Sequence, residues 1–493
     1  MSIRRTLTAA GIAALTLGAA AAYAMSNAPS EPAQPTDSVW QPSPESTIQH
    51  PAWSKEGVLY QINIRQFTPE GTFRAAEKQL PRLKQLGVNI LWIMPIHPIG
   101  KEHRKGTLGS PYSVRDYRDV NPEFGTKEDF KHFVDAAHAL GFHVILDWVA
   151  NHTAWDNPLT KEHPNWYVKN WKGGFTPTPW LDWSDIIDLD WSKPGVRQYI
   201  GESMEMWVRD YGVDGFRADV AGYVPLDFWE KERKRLEAIK PVFMLAEWKT
   251  PEMTRKAFDA VYAWEWHNTM KDIAQGKANA SALDGYYAEA EKAWPRAAMR
   301  MTYVANHDSN AWEGTQYENF GDALPAVIAL SFTGEGLPMI YNGQEACNHK
   351  RLEFFEKDPI DWSQDKDCQL GTLFTDLIAF RKANPALANN PWGGRMSKLD
   401  NDQPAQLFSW IRHVDGNTVV GLFNLSPKPV TAHLTDAHGA GRYREFGTGK
   451  EVVLASGSTV SLPAWGYRLL SGNGEESGPR MMGAVSGTAG APR

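Results

Sequence analysis

The chain has no long basic run, and only its N-terminus holds a long stretch of small and apolar residues. Its 493 residues carry 51 Lys and Arg against 58 Asp and Glu, a formal net charge of −7. This balance argues against nucleic acid or an anionic membrane surface as a partner. After residue 24 no stretch is apolar enough to span a bilayer, so we expect no membrane association in the mature protein.

The first residues have the pattern of an export signal. The basic pair Arg4-Arg5 precedes an alanine-rich run that ends in the sequence AYA at residues 22–24. This arrangement is typical of a cleaved secretory signal peptide, here residues 1–24, and predicts a periplasmic or extracellular protein. Residues 25–52 are rich in Pro, Ser and Gln and predict a flexible leader.

Cysteine is almost absent, with only Cys347 and Cys368 in the whole chain. In an oxidising compartment the two can form a disulfide. The sequence does not fix the distance between them, so a disulfide and two buried thiols both stay open. Tryptophan, in contrast, occurs 21 times, and its large flat face suits both cores and stacking on sugar rings.

Eight short apolar segments recur along the chain, most of them separated by helical stretches. They are GVLYQINIR, NILWIMP, FHVILDWV, GVDGFRADV, VFMLAEW, AVYAWEW, MRMTYVAN and LPMIYNG. Apolar runs between helices are typical of parallel strands covered on both faces. Eight such units predict an α/β fold of the (β/α)8 TIM barrel type, which we place at residues 53–390.

Three further segments differ from the barrel pattern. Residues 153–193, after the third strand, are Trp-rich and irregular and predict a small inserted subdomain over the barrel mouth. Residues 391–470 contain short alternating segments that predict a C-terminal antiparallel β-sandwich. Residues 471–493 have little to bury and predict a disordered tail.

One predicted strand contains an arginine and an aspartate two positions apart, Arg217 and Asp219. Side chains two apart share a face of a strand, so the pair is either a structural ion pair or part of an active site. Glu247 and Asp308 also lie at the ends of predicted strands, and the strand ends of a TIM barrel surround one pit. Paired carboxylates in such a pit are the groups that glycoside hydrolysis requires.

The sequence surroundings of Asp219 and Glu247 suggest different chemical roles for the two carboxyls. We expect Arg217 to hold the pKa of Asp219 low, as a nucleophile requires, because a neighbouring cation favours the ionised carboxylate. Glu247 stands between Ala246 and Trp248, an apolar setting that suits the protonated form of an acid.

Four segments carry a resemblance to a known family. They are DWVANH (147–152), GFRADVAGY (215–223), LAEW (245–248) and YVANHD (303–308). In order and spacing they resemble the four conserved regions of the α-amylase family, glycoside hydrolase family 13. IIDLD (186–190) is similar to the fifth region, and GLPMIYNGQE (336–345) to the segment of the eighth strand.

The resemblance implies roles for individual residues. Asp219 would be the nucleophile, Glu247 the general acid/base, and Asp308 the third carboxylate, which holds sugar hydroxyls. The substrate-binding residues implied are Arg217, His152, His307 and, beneath the reacting sugar, the stacking aromatic Tyr112. Gly222-Tyr223 departs from the Lys-His of many family amylases, and Gly109 from the Asp of many α-glucosidases.

Calcium is the family's frequent structural ion, and the resemblance implies Asn151 and Asp188 as its ligands. Oxygen ligands on a loop-rich subdomain suit this ion. The segment DLDWSKPGVR is also similar to relatives that bind no ion here, so both possibilities stay open.

The leading hypothesis is a secreted or periplasmic retaining hydrolase of α-1,4-glucosidic bonds in starch, glycogen or maltooligosaccharides. Gly109 and the Trp-rich insertion favour cleavage of internal bonds. The alternatives are an α-glucan transglycosylase or an α-glucosidase of the same family, and a carbohydrate-binding homologue without catalysis, against which the three carboxylates argue. We expect a monomer with an α-glucan substrate and no organic cofactor.

Overall fold

The computed structural model describes residues 45–179, 182–363, 368–435, 437 and 439–472. The predicted signal peptide, most of the predicted leader and most of the predicted tail lie outside these ranges. Ser471 and Gly472, which we expected to begin the tail, instead end the last strand.

The end of the predicted leader packs on the barrel. Ser46 Oγ donates to the Thr254 carbonyl at 2.7 Å, and the Thr47 N–H donates to the Arg255 carbonyl at 2.9 Å. His50 Nδ1 lies 2.6 Å from Asp259 Oδ1. The prediction of a flexible leader up to residue 52 is therefore wrong for its last residues, because these contacts fix the main chain from residue 46 onward.

The first ten strands supply the barrel and one small antiparallel pair. They are β1 (Leu59–Ile62), β2 (Ile90–Ile93), β3 (His143–Trp148), β4 (His152–Ala154), β5 (Ile186–Asp188), β6 (Gly215–Ala218), β7 (Phe243–Ala246), β8 (Ala260–Tyr262), β9 (Met299–Thr302) and β10 (Leu337–Tyr341). The closed barrel has the order β1-β10-β9-β8-β7-β6-β3-β2, with every pair parallel. The predicted TIM barrel is confirmed, and its eight strands are the eight predicted segments.

The α-helices lie mostly between barrel strands. They are α1 (Ile64–Phe67), α2 (Phe73–Glu77), α3 (Leu80–Leu86), α4 (Lys127–Ala139), α5 (Leu159–Glu162), α6 (Pro194–Tyr211), α7 (Leu226–Glu237), α8 (Met253–Lys256), α9 (Trp264–Ala274), α10 (Ala282–Ala293), α11 (Gln316–Phe320), α12 (Leu324–Thr333) and α13 (Leu370–Ala383). Short 3-10 turns occupy 52–56, 164–166, 221–223, 321–323 and 385–387, and a π turn occupies 309–313. None of the helices in the described ranges is long and apolar enough to cross a membrane.

Local sequence explains where these elements begin and end. Thr126 and Asp129 form a capping box at the start of α4, which satisfies its first free N–H groups. Pro194 opens α6, and Gly212 ends it in the left-handed conformation at φ 80°. At Gly215 an added Cβ would lie 1.8 Å from the Phe243 carbonyl oxygen, so only glycine lets β6 approach β7.

Successive residues of each barrel strand face opposite ways. One cluster fills the barrel interior and includes Leu59, Trp92, Ile145, Phe243, Leu245 and Met301. Their chain neighbours pack outward on the helices and include Tyr60, Leu91, Leu146, Met244 and Ile340. This two-residue alternation leaves only the strand ends free for chemistry.

The two additions to the barrel have the predicted form. The insertion after β3 contains the antiparallel pair β4–β5 and helix α5. The C-terminal part contains β11 (Met396–Lys398), β12 (Leu407–Val414), β13 (Asn417–Asn424), β14 (Val430–His433), β15 (Gly441–Glu445), β16 (Glu451–Leu454), β17 (Thr459–Leu462) and β18 (Tyr467–Gly472). Its six-stranded sheet and the pair β14–β17 share one apolar core, as in a sandwich.

Candidate active site

Arg217, at the C-terminal end of β6, is the centre of the pit. Its side chain is completely buried and holds three carboxylates. Nη1 lies 2.8 Å from Asp147 Oδ1 and 2.9 Å from Asp219 Oδ1, and Nη2 lies 3.0 Å from Glu247 Oε2. The guanidinium also stands over the rings of Trp92, Tyr112 and Tyr262, at 5.2, 5.7 and 5.7 Å.

Asp219 and Glu247 are thus held side by side on one guanidinium. Directly after Asp219 the main chain turns sharply at Val220, which has φ 35°. The Val220 N–H donates to Glu247 Oε2 at 2.8 Å. A β-branched residue in this region costs about 1–3 kcal/mol, which is a strain that functional sites tolerate. Among the described residues no hydrogen bond reaches Asp219 Oδ2 or Glu247 Oε1, so each carboxyl keeps one oxygen for a ligand.

The expected direction of the Asp219 pKa is wrong. Burial and the neighbouring Glu247 carboxylate raise this pKa well above its ordinary value, and the attraction of Arg217 only partly offsets them. Arg217 is shared among three carboxylates, so no single one receives its full stabilisation. The Asp219 carboxyl therefore binds a proton more readily than an isolated aspartate does.

Asp147, at the end of β3, received no role in the sequence analysis. Its side chain is fully buried, and Oδ2 accepts hydrogen bonds from Trp92 Nε1 and Tyr112 OH, both at 3.0 Å. Burial raises the pKa of Asp147 to about 6, against the opposing effect of Arg217. Asp147 therefore positions Arg217 and Tyr112 from below the pit.

His307 continues this network as a neutral ring. Burial is the main reason that the pKa of His307 is lowered to about 3, and the nearby positive charge of Arg217 lowers it further. Gln61 Nε2 lies 2.7 Å from Nδ1, and Tyr112 OH lies 2.7 Å from Nε2. Because Gln61 donates to Nδ1, the ring proton belongs on Nε2, from which it reaches the Tyr112 oxygen.

Asp308 follows His307 and faces the open pit. Its side chain is 43 % exposed, against 10 % for Asp219 and 14 % for Glu247. Oδ2 lies 3.2 Å from His307 Nε2, and a π turn, a feature often found at functional sites, begins at the next residue. Asp308 is therefore the carboxylate best placed to meet a polar ligand that enters the pit.

His152 supports the aromatic residue beneath the pit. It is buried and accepts from Asn151 Nδ2 at 3.2 Å, and its ring donates to the main chain of Tyr112. Burial lowers the pKa of His152 to about 4, so the ring is neutral. All seven predicted catalytic and substrate-binding residues meet in one pit, where His152 acts through Tyr112.

The side of the pit next to Glu247 is aromatic. A Cβ at Gly222 would lie 2.0 Å from Trp248 Cε2, so glycine is needed for the close packing of Trp248 beside Glu247. Tyr223 meets Trp248 edge-on at 5.6 Å. The pair Gly222-Tyr223, which departs from the family pattern, thus creates an aromatic surface next to Glu247.

The two predicted calcium ligands are neighbours, with Asn151 just before the insertion and Asp188 within it. Asn151 Nδ2 lies 3.2 Å from Asp188 Oδ1, which also accepts from Thr178 Oγ1 at 2.6 Å. One carboxylate in a hydrogen-bonded network is fewer charged ligands than calcium usually takes, so the fit is partial. In the described ranges no three His, Cys, Asp or Glu side chains are grouped to hold a metal ion. The calcium site remains a prediction.

Three neutral residues of the pit were not predicted from the sequence. Gln61, Trp92 and Tyr262 point inward from β1, β2 and β8 and bond His307, Asp147 and Arg217 respectively. The signal for them in the sequence is a polar side chain at an inward-facing position of a predicted strand.

Comparison with known proteins agrees with this geometry. The family model for the α-amylase catalytic domain matches residues 55–372. Alpha-amylase MalA from Haloarcula japonica is 26 % identical over 436 residues, which are 84 % of this chain and 63 % of that protein. A cyclomaltodextrinase from a Bacillus species is 26 % identical over 429 residues, which are 78 % of this chain and 75 % of that protein.

A solved structure is also similar over its whole length. The maltogenic alpha-amylase AmyB from Thermotoga neapolitana is 31 % identical, with a TM-score of 0.77 over 85 % of this chain and 99 % of that one. The barrel, the pit and the match over residues 55–372 together show that the chain belongs to the α-amylase family.

Proposed function

We propose that the protein hydrolyses α-1,4-glucosidic bonds in starch, glycogen or maltooligosaccharides by double displacement. The observation that carries this proposal is the pair Asp219 and Glu247 on one guanidinium, each with an oxygen free for a ligand. In the first step Asp219 Oδ2 bonds to the anomeric carbon as the glycosidic bond breaks, and Glu247 gives its proton to the leaving oxygen. In the second step Glu247 takes a proton from water, whose oxygen displaces Asp219.

The surrounding residues support the same reaction. Tyr112 offers its ring as a floor for the reacting sugar, and its orientation is fixed by Asp147 and His307. The reactive state needs one proton, located on Glu247, and an ionised Asp219. The Glu247 charge is, after burial, a cause of the raised pKa of Asp219, and a proton on Glu247 removes that charge, which favours the ionised Asp219.

Two substitutions separate the roles. Glu247→Gln should lose about 100-fold or more on starch, the range of general acid catalysis. It should still react with an α-glucosyl fluoride, because fluoride leaves without protonation. Asp219→Asn should be inactive on both substrates.

Mass spectrometry of Glu247→Gln with the fluoride should find one sugar adduct, on the peptide that contains Asp219. An adduct on Asp308, or activity of Asp219→Asn on the fluoride, would refute the assignment. Arg217 and Asp219 would then be a structural ion pair.

Transfer to a sugar acceptor is a second candidate that uses the same intermediate. The aromatic pair Tyr223 and Trp248 beside Glu247 favours it, because such a surface can hold an acceptor sugar against competing water. Products longer than the substrate, formed from concentrated maltotriose, would support transfer. Their absence would leave hydrolysis alone.

Location and mode of cleavage are further proposals. The N-terminal signal pattern and the Cys347–Cys368 disulfide, with a Cα separation of 5.8 Å, support a secreted or periplasmic protein, which cell fractionation tests. Internal cleavage, predicted from Gly109, requires that starch lose viscosity before much free sugar appears. The opposite mode, cleavage near a chain end, depends on how the cleft is closed on the glycone side.

A further inference from the structure

Residues 100–109, here called the strap, cross one side of the barrel mouth. They belong to the long connection after β2 and are tied at two places. Lys105 Nζ donates to the Asp182 carbonyl in the insertion and lies 3.7 Å from Asp185 Oδ1. On the other side, the N–H of Thr107 donates to Glu356 Oε1 at 2.7 Å, in the loop after β10.

Two arginines, one within the strap and one in α1, also hold its main chain by hydrogen bonds. Arg104 donates to the carbonyls of Gly100 and Thr107 at 2.7 and 3.3 Å, and Arg65 donates to the Gly109 carbonyl at 2.9 Å. A Cβ at Gly109 would lie 3.0 Å from Arg104 Cγ. The space that an acidic side chain at position 109 would need is therefore filled by Arg104, and its absence does not leave the cleft open.

The ring order of the barrel locates the strap relative to the reacting groups. The strap runs from the insertion after β3 to the loop after β10, and so passes over β2 and β1. In the closed ring β1 is four places from β7, whose end carries Glu247. The general acid lies on the leaving-group side of the scissile bond, so the strap lies on the opposite, glycone side.

A row of aromatic rings leads from the reacting sugar site toward the strap. Phe354 stacks on Tyr112 at 6.2 Å with an interplanar angle of 17°, and Trp312 follows at 5.3 Å from Phe354. Phe355, 5.8 Å from Trp312, accepts the Leu108 N–H of the strap on its carbonyl at 3.2 Å. Trp312 is 56 % exposed and belongs to a row of rings that starts at Tyr112, so its free face is available to stack on a sugar.

We propose that the strap and Trp312 close the glycone side of the cleft after two glucose rings. Tyr112 lies beneath the reacting ring, Trp312 beneath the next one, and the strap stops a third. The substrate is then an α-glucan engaged by its non-reducing end rather than at an internal bond. This inference rests on the proposed hydrolysis of α-1,4 bonds.

The test follows cleavage of maltohexaose that is fluorescently labelled at its reducing end. The first labelled product should be four units long, because two units leave from the glycone side. Early labelled products that are shorter than four units would overturn the inference and leave the proposed hydrolysis intact. No cleavage of any α-1,4 substrate would overturn the proposed function itself.

Loosening the strap is the second arm of the test. Glu356→Ala removes its tie to Thr107 and should add early products that have lost three or more units. Glu353→Ala, an exposed position on the same loop, is the matched control and should keep the wild-type pattern. An unchanged pattern in a Glu356→Ala protein with a wild-type melting curve would refute the closure by the strap.

Two variants of Trp312 test whether its ring lies beneath the second glucose unit. Trp312→Ala should raise KM for maltotriose about 5- to 10-fold, which is the effect expected for a lost stacking contact, with kcat changed less than about 2-fold. Trp312→Phe keeps a ring but loses the indole N–H directed at Asp308, and should stay within about 2-fold of the wild-type KM. Equal KM values for both variants and the wild type would show that Trp312 does not contact sugar.

Discussion

Replacing Asp147 with asparagine removes a buried charge while keeping the shape of the side chain. The pKa of Asp147 is raised to about 6 from an ordinary 3.8, with burial as the main cause. A difference of about 2 in pKa, at about 1.36 kcal/mol each, corresponds to about 3 kcal/mol. Asp147 is fully buried, so this value needs no reduction for solvent screening.

The direction in which stability changes with pH follows from proton binding by Asp147. Between about pH 4 and pH 6 the folded chain keeps a proton on Asp147 that the unfolded chain has released. Proton uptake by the folded state means that its stability falls as the pH rises through this window and is constant above it. Asp147→Asn has no such proton, so relative to the wild type it should gain about 3 kcal/mol between pH 4 and pH 7.

Urea unfolding followed by tryptophan fluorescence at several pH values measures this difference. Asp135→Asn, on the exposed face of α4, is the control and should differ from the wild type by less than about 0.5 kcal/mol at every pH. A gap between wild type and Asp147→Asn that does not change with pH would refute the reasoning. The pKa of Asp147 would then be the same in the folded and the unfolded chain.

Two further changes test other parts of the site. If calcium binds at Asn151 and Asp188, a chelator should lower the melting temperature of the wild type, and Asp188→Ala should remove this sensitivity. A wild-type melting curve that chelator does not change would contradict the ion site. Gly222→Ala forces Trp248 away from Glu247 and should lower kcat/KM on starch about 10-fold or more. Gly285→Ala is the control and should keep the wild-type value, because no atom lies within 4 Å of its added Cβ. Equal activity of the two variants would contradict a role for the close packing.

The barrel and the charged part of its pit were predictable from sequence. Each apolar run has the length of a buried strand, and polar residues such as Asp219 and Glu247 stand where these runs end. The partners of Arg217 were harder to predict, because Asp147 and Glu247 come from strands on either side of β6 and meet it only through the strand register. The pKa of Asp219 was mispredicted because the sequence did not show how deeply this carboxyl is buried, nor that three carboxylates share the Arg217 cation.

The strap was not predictable, because its contacts are local in space but remote in sequence. Lys105 meets Asp182, 77 residues later, and Thr107 meets Glu356, 249 residues later. Neither pair has a period or motif that would reveal it. For the same reason Gly109 suggested an open cleft, since the sequence did not show that Arg104 folds back over it.

The disulfide between Cys347 and Cys368 encloses the part of the chain that carries Phe354, Phe355 and Glu356. Asp219, Glu247 and Asp308 all lie outside that loop. The cross-link therefore closes a loop around the rim that anchors the strap and leaves the three pit carboxylates outside it. If the strap closes the cleft as proposed, we expect reduction of this disulfide to change which end of a polymer is admitted more than it changes the bond-breaking step.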